Sequence, residues 1–72
     1  MLYVADFSNH RIQKFDAVSG ELVNIYGLGM GSGMENLCFP SDCVVYPRED
    51  GAVVLYVAEQ NNSRVQVFVI ND

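Results

Sequence analysis

The sequence has few of the residues that catalysis and metal binding require. It contains one histidine, His10, and two cysteines, Cys38 and Cys43, with no second cysteine pair. A structural zinc site takes four such ligands at characteristic spacings, so we expect no metal site. The histidine has no suitably spaced serine or cysteine partner for covalent catalysis. We therefore expect a chain that is not an enzyme and that holds no cofactor.

Basic residues are also scarce, at four Lys and Arg against nine Asp and Glu, for a net charge of −5. Nucleic-acid phosphates and anionic membrane surfaces both attract basic patches, so we expect neither as a partner. The longest apolar run, residues 52–58, is too short to span a bilayer. The sequence shows no basic segment followed by an apolar stretch, which is the pattern of a signal peptide, so we expect none. The compartment stays open, and we favour the cytoplasm.

The two cysteines leave the redox state open. Cys43 falls in a predicted strand on the same face as Val45, which favours a small buried thiol. A local disulfide with Cys38 is the alternative, and it depends on a geometry that spacing does not determine.

The strongest signal in the chain is an internal repeat. Residues 2–15 return 53 positions later as residues 55–68, without a gap. Eight of the fourteen positions are identical, and the pairs Asp6/Glu59 and Ile12/Val65 are conservative. A period near 50 with strand-like content is typical of propellers and solenoids.

Strand signals run through the whole sequence. Short apolar segments bounded by Gly, Pro, Asn and Ser predict strands at residues 2–6, 11–16, 22–26, 42–46, 53–58 and 64–70. The segments at 53–58 and 64–70 do not alternate cleanly between apolar and polar residues. Strands of that kind need cover on both faces, which favours a propeller blade between two neighbours over a sheet with one wet face.

The repeated pattern, Leu-Tyr-Val-Ala-Asp/Glu-x-x-Asn-x-Arg-Ile/Val-Gln-x-Phe, resembles the core of an NHL repeat. The resemblance implies an all-β fold built from antiparallel sheets of an NHL-type β-propeller. In its register the chain is an incomplete fragment of two partial blades. Residues 1–26 form a blade without its inner strand, 27–40 the inter-blade connection, and 41–72 a blade without its outer strand.

The connection contains a glycine-rich stretch, residues 27–33. Its glycines do not have the Gly-x-Gly-x-x-Gly spacing, and no Gly-Lys-Ser/Thr follows. No predicted helix follows to offer its N-terminus to a phosphate. We expect an inter-blade connection and no phosphate site.

Charged residues flank the predicted hairpin turn in both copies of the repeat. We expect a carboxylate and a guanidinium to clamp each turn, and an Asn to tolerate the turn backbone. The six residues of this structural hairpin clamp are Asp6, Asn9, Arg11, Glu59, Asn62 and Arg64. The alternative is a ring of binding-face charges repeated in each blade. We expect His10, at the tip of the first turn, to face solvent.

For function, the resemblance implies a non-catalytic, protein-binding propeller segment from a parent such as a ubiquitin-ligase or sensory scaffold. The alternative is a fragment of a propeller enzyme such as a zinc-dependent peptidyl-amidating lyase. Blades of that enzyme carry a Pro-His-Ser stretch at the inner strand, whereas this chain has Pro40-Ser41 and lacks the metal-binding His. We therefore expect the binding role.

Two incomplete blades should be marginal in isolation. A flat pair of sheets is expected to bury less surface than a sphere of the same mass, and to leave strand edges and apolar surface open. We expect the isolated chain to self-associate or to pack loosely at micromolar concentration. One copy could supply the missing strand of another.

Overall fold

The computed structural model of the chain describes residues 1–27, 29 and 36–71. These residues are all-β and form six strands: β1 (Leu2–Asp6), β2 (Arg11–Phe15), β3 (Leu22–Tyr26), β4 (Pro40–Pro47), β5 (Val53–Glu59) and β6 (Arg64–Ile70). A single 3₁₀ turn, Phe7–Asn9, joins β1 to β2. The strands form two three-stranded antiparallel sheets in the orders β1-β2-β3 and β4-β5-β6. In the described part of the chain, no helix is long and apolar enough to cross a bilayer.

All six predicted strands are present, and their bounds differ mainly at β4. That strand runs from Pro40 to Pro47, two residues earlier and one later than predicted. Proline lacks an N–H and cannot donate to a neighbouring strand, so the predicted strand excludes both Pro40 and Pro47. Here they lie at the ends of β4, and the pairing with β5 is irregular between Pro40 and Asp42. Of the glycine-rich connection, residues 28 and 30–35 lie outside the described residues.

The repeated residues give each sheet two distinct faces. We call them the tyrosine face, which carries Tyr3 in the first sheet and Tyr56 in the second, and the phenylalanine face, which carries Phe15 and Phe68. The tyrosine face of the first sheet packs on the phenylalanine face of the second. The cluster at this junction consists of Ile12, Leu37, Leu55, Val57 and Ile70, with Tyr3, Ala5, Tyr26, Cys43, Val45, Val53 and Phe68 around it.

The exposed area of the chain is 4542 Å². A compact globule of 8.0 kDa exposes about 4,500 Å². The exposed area is thus close to that of an ordinary folded protein of this mass, because the two sheets stack face to face and Leu37 of the connection packs into their common core. The surface that remains open includes many large apolar side chains on the two outer sheet faces.

The turns fall at two opposite ends of the stack. The repeated hairpin turns, residues 7–10 and 60–63, lie at one end, together with residues 36–39 of the connection. The turns at residues 16–21 and 48–52 lie at the far ends of the same antiparallel strands. The candidate functional residues are therefore collected at one end of the fold.

Candidate functional site

The two repeated hairpin turns share one backbone feature. The residue just before the arginine lies in the left-handed region in both copies, with φ of 55° at His10 and 48° at Ser63. Non-glycine residues adopt this region in a few per cent of cases, and it reverses the chain tightly. We expected Asn9 and Asn62 to tolerate the turn backbone. The left-handed residue of each turn is in fact the next one along, His10 in the first turn and Ser63 in the second.

In the first turn, the carboxylate of Asp6 accepts three hydrogen bonds. Arg11 donates from Nε at 2.9 Å, and the side-chain amide of Asn9 donates to both carboxylate oxygens at 3.0 and 3.1 Å. The side chains of Asp6 and Arg11 remain 22% and 35% exposed. These hydrogen bonds, from Arg11 first and then Asn9, lower the pKa of Asp6 below its ordinary value, against a smaller opposing effect of desolvation.

The second turn repeats this arrangement around Glu59, with the carboxylate fully buried. Arg64 donates from Nε to one oxygen at 2.5 Å and from Nη2 to the other at 3.2 Å, and Asn62 donates at 2.8 Å. Burial raises the pKa of Glu59, but the hydrogen bonds from Arg64 and Asn62 and the nearby charge of Arg64 outweigh it, so that the pKa is lowered overall. A two-point arginine contact of this kind fixes both side chains.

The second cluster also holds the connection in place. The backbone N–H of Cys38 donates to the Glu59 carboxylate at 3.1 Å. The carbonyl of Asn36 accepts from Arg64 at 2.8 Å and from the Gln66 amide at 3.0 Å. Gln66 also reaches Glu59, at 3.2 Å. The predicted clamp of the second turn therefore anchors residues 36–38 as well as its own hairpin.

The prediction that His10 faces solvent is wrong. His10 is half-buried, its Nδ1 accepts the backbone N–H of Phe39 at 3.0 Å, and its ring lies edge-on against the Phe39 ring with centroids 4.5 Å apart. The ring of Phe7 approaches Phe39 from another side at 4.8 Å. The Phe39 carbonyl in turn accepts the N–H of Gln60 in the second turn at 3.0 Å. Phe39 therefore contacts both hairpin turns.

Beside the second turn lies a shallow open depression of about 600 Å³. Its lining consists of Ser41, Ala58, Glu59, Gln60, Ser63, Arg64 and Val65. Hydroxyl and amide groups at its rim can hydrogen-bond to a partner. Glu59 and Arg64 are committed to the hydrogen bonds already described, so the exposed polar groups are mainly those of Gln60 and Ser63.

The described residues contain no group of three or more His, Cys, Asp or Glu that could hold a metal ion. Cys38 and Cys43 are both free and half-buried, so the alternative of a disulfide between them is not realised in this structure. Burial, and then the charge of Asp42, raise the pKa of the Cys43 thiol, which is the behaviour of a packed cysteine rather than a reactive one.

Several residues at this end of the fold were not singled out in the sequence. Gln66 carried a signal, since Gln13 matches it in the first copy of the repeat. Asn36 and Phe39 carried none, because they act through backbone groups or through a ring that packs only once the sheets are stacked. Cys38 was considered only for a disulfide, whereas here it acts through its backbone N–H.

Comparisons of the chain with protein-family models, with curated proteins and with solved structures found no match. The resemblance to NHL repeats therefore stays a prediction that rests on the repeated residues.

Proposed function

We propose that this chain is a non-catalytic, protein-binding segment of an NHL-type β-propeller, from a parent such as a ubiquitin-ligase or sensory scaffold. One observation carries the proposal: both copies of the repeat build the same hairpin turn around the same carboxylate–asparagine–arginine set. A reactive group belongs to one place in a protein, whereas a set that recurs in each sheet serves the fold. The charged residues of the repeat are therefore assigned to structure.

Binding is assigned to the end of the stack that carries the hairpin turns. Exposed side chains at that end include Phe7, at 41% exposure, and the rim of the depression at Gln60 and Ser63. Loops that a rigid sheet scaffold holds in place are the usual location of recognition residues. The net charge of −5 disfavours a nucleic-acid partner, so the proposed partner is a protein.

Site-specific photo-crosslinking tests this proposal. A crosslinking amino acid replaces Gln60 at the hairpin end or Val18 at the opposite end, which is 99% exposed. We expect a discrete protein product from position 60 and none from position 18. An excess of unlabelled wild-type chain should compete with the product, and an excess of chain carrying Gln60→Arg should not. Identical products from both positions would contradict a binding site at the hairpin end.

A further inference from the structure

The tyrosine face of the second sheet is an open apolar surface. Register places Val44 and Tyr46 of β4, Val54 and Tyr56 of β5, and Val67 of β6 on this one side. Six residues of the face are 40–62% exposed: Val44, Tyr46, Tyr56, Val65, Val67 and Val69. Asp42, at one margin, is the only charged residue among those that the strand register places there. An apolar surface this continuous marks a place where another surface packs.

The phenylalanine face of the first sheet is open as well. Strand register places Leu2 opposite Phe15, and Val4, Gln13 and Ile25 in one row across the sheet. Leu2 is 54% exposed and Ile25 41%, while Val4 and Phe15 are half-buried. The chain therefore has two open apolar faces, one at each side of the stack.

The repeat identifies what fits these faces. Within the chain, the tyrosine face of Tyr3, Ala5 and Ile12 packs on the phenylalanine face of Leu55, Val57 and Phe68. At the repeat offset of 53 residues, the first set corresponds to Tyr56, Ala58 and Val65, and the second to Leu2, Val4 and Phe15. These are residues of the two open faces. Each chain therefore presents, unpaired, a second copy of both halves of an interface that it already forms once internally.

We propose that the open tyrosine face of one chain docks on the open phenylalanine face of a second copy, head to tail. The interface is heterologous, since it joins two different patches, and one contact leaves a free face at each end of the pair. Copies therefore add stepwise, into a ring where the rotation between copies closes and into an open filament where it does not. This proposal concerns association between copies and does not depend on the proposed protein-binding role of the hairpin turns.

One difference between the two tyrosine faces favours this docking. The tyrosine face of the internal interface includes Lys14, which pairs with Tyr3 across the strands. Lys14 is 5% exposed, and its ammonium lies 5.8 Å from the centre of the Tyr3 ring. The equivalent residue of the open face is Val67, which is 52% exposed. Covering Val67 desolvates no charge, whereas covering Lys14 does.

Docking also changes the first hairpin turn. Asp6 and Arg11 lie on the open phenylalanine face, since Asp6 follows Leu2 and Val4 at two-residue intervals. Glu59 and Arg64 occupy the equivalent positions of the phenylalanine face that is already covered. A docked copy would therefore move the Asp6–Arg11 pair toward the buried condition of Glu59–Arg64.

Three matched glutamate substitutions test the proposal. Val67→Glu places a charge in the tyrosine face, Ile25→Glu places one in the phenylalanine face, and Val18→Glu changes a turn residue that is 99% exposed and on neither face. All three positions are exposed, and circular dichroism checks whether each variant keeps its β structure. Sedimentation velocity over a concentration series from about 5 to 500 µM, a range set by the affinity of weak specific contacts, measures the association.

We expect the wild type and Val18→Glu to associate in steps, and either face variant alone to weaken association at least about tenfold, because the contact buries an unpaired charge. Mixing the two face variants separates head-to-tail docking from other arrangements. Val67→Glu keeps an intact phenylalanine face and Ile25→Glu keeps an intact tyrosine face. The mixture should therefore form a 1:1 dimer that neither variant forms alone and that does not grow further.

Other outcomes overturn the proposal. A wild type that stays monomeric to 500 µM would show that a second copy does not cover these faces. Loss of association with Val67→Glu but not with Ile25→Glu would indicate a symmetric contact between two tyrosine faces. Association that all three variants retain would indicate pairing through strand edges or non-specific aggregation. Leu2→Glu, on the same face as Ile25, repeats the test if Ile25→Glu loses its β structure.

Discussion

The two hairpin turns are built from nearly the same residues and lie in different surroundings. In the second turn the carboxylate of Glu59 is fully buried, and in the first the carboxylate of Asp6 is 22% exposed. Glu59 holds Arg64, Asn62, Gln66 and the backbone of Cys38, whereas Asp6 holds Arg11 and Asn9. The similar sequences therefore give the same local hydrogen bonds, whereas the burial of each turn depends on what packs against its sheet face.

The alternation of strand residues explains the difference. Both carboxylates lie on the phenylalanine face of their sheet. The second sheet turns that face inward, toward the first sheet and the connection, and the first sheet turns it outward. The same set of residues is consequently a buried anchor in one copy and an exposed pair in the other, and the energetic value of an ion pair depends strongly on that position.

The largest expected difference between the turns follows removal of the arginine. Arg64→Ala leaves the buried Glu59 carboxylate without its main partner and removes one of the two side-chain hydrogen bonds to the Asn36 carbonyl, so we expect a loss of about 3 kcal/mol in the free energy of unfolding. Arg11→Ala removes a half-exposed partner and should cost much less. Urea denaturation followed by circular dichroism compares the two variants. Equal losses would show that burial does not distinguish the turns.

The contact between the first turn and the connection can be tested at Gly27. A Cβ at this position would lie 2.9 Å from Leu37 Cδ1 and 3.1 Å from the His10 carbonyl, at a φ of +108°. We expect Gly27→Ala to lower the free energy of unfolding by about 2 kcal/mol. Gly20→Ala is the control, because it also has positive φ but no heavy atom within 4 Å of the added Cβ. Equal effects of the two would mean that backbone strain alone matters and the close packing does not.

Removal of the asparagine amides should give a smaller difference of the same sign. The amide of Asn62 donates to a buried carboxylate, so Asn62→Ala should cost about 1.5 kcal/mol, as for other hydrogen bonds to charged groups. Asn9→Ala removes bonds to a carboxylate that water can reach and should cost less. Thermal unfolding of both variants measures the difference. A larger effect at Asn9 would contradict the assignment of Asn62 as the stronger ligand.

Changes of pH and salt should give the smallest difference in stability between the two carboxylates. The pKa values of Asp6 and Glu59 are both lowered in the folded chain. At pH values between these lowered pKa values and the ordinary ones, the unfolded chain therefore binds more protons than the folded chain. Stability is therefore present at neutral pH and is lost as the pH falls through the folded-state values. Asp6→Asn and Glu59→Gln should each reduce this loss.

High salt should then weaken the acid effect that belongs to the exposed Asp6–Arg11 pair and leave most of that due to Glu59. Urea denaturation at several pH values, at 0.05 M and 1 M sodium chloride, measures both effects. If salt reduces the two contributions equally, the burial of Glu59 does not shield its pairing.

The strands, the repeat and the local ion pairs could be predicted from the sequence, because each depends on residues close together in the chain or on spacing within one strand. The pairing of Asp6 with Arg11 is an example, since a hairpin brings them opposite each other. The burial of Glu59 could not be predicted, because it depends on which face of the second sheet is covered. The inward position of His10 likewise depends on Phe39, 29 residues away.

Phe39 gives the hairpin end of the fold a property that neither turn has alone. Its N–H is bonded to His10 in the first turn, and its carbonyl to the N–H of Gln60 in the second. Detaching this residue breaks one hydrogen bond in each turn at the same time. The amide hydrogens of Phe39 and Gln60 should therefore exchange with solvent deuterium through one shared opening event, although they belong to separate segments of the chain. The two turns would then respond together when either one is disturbed.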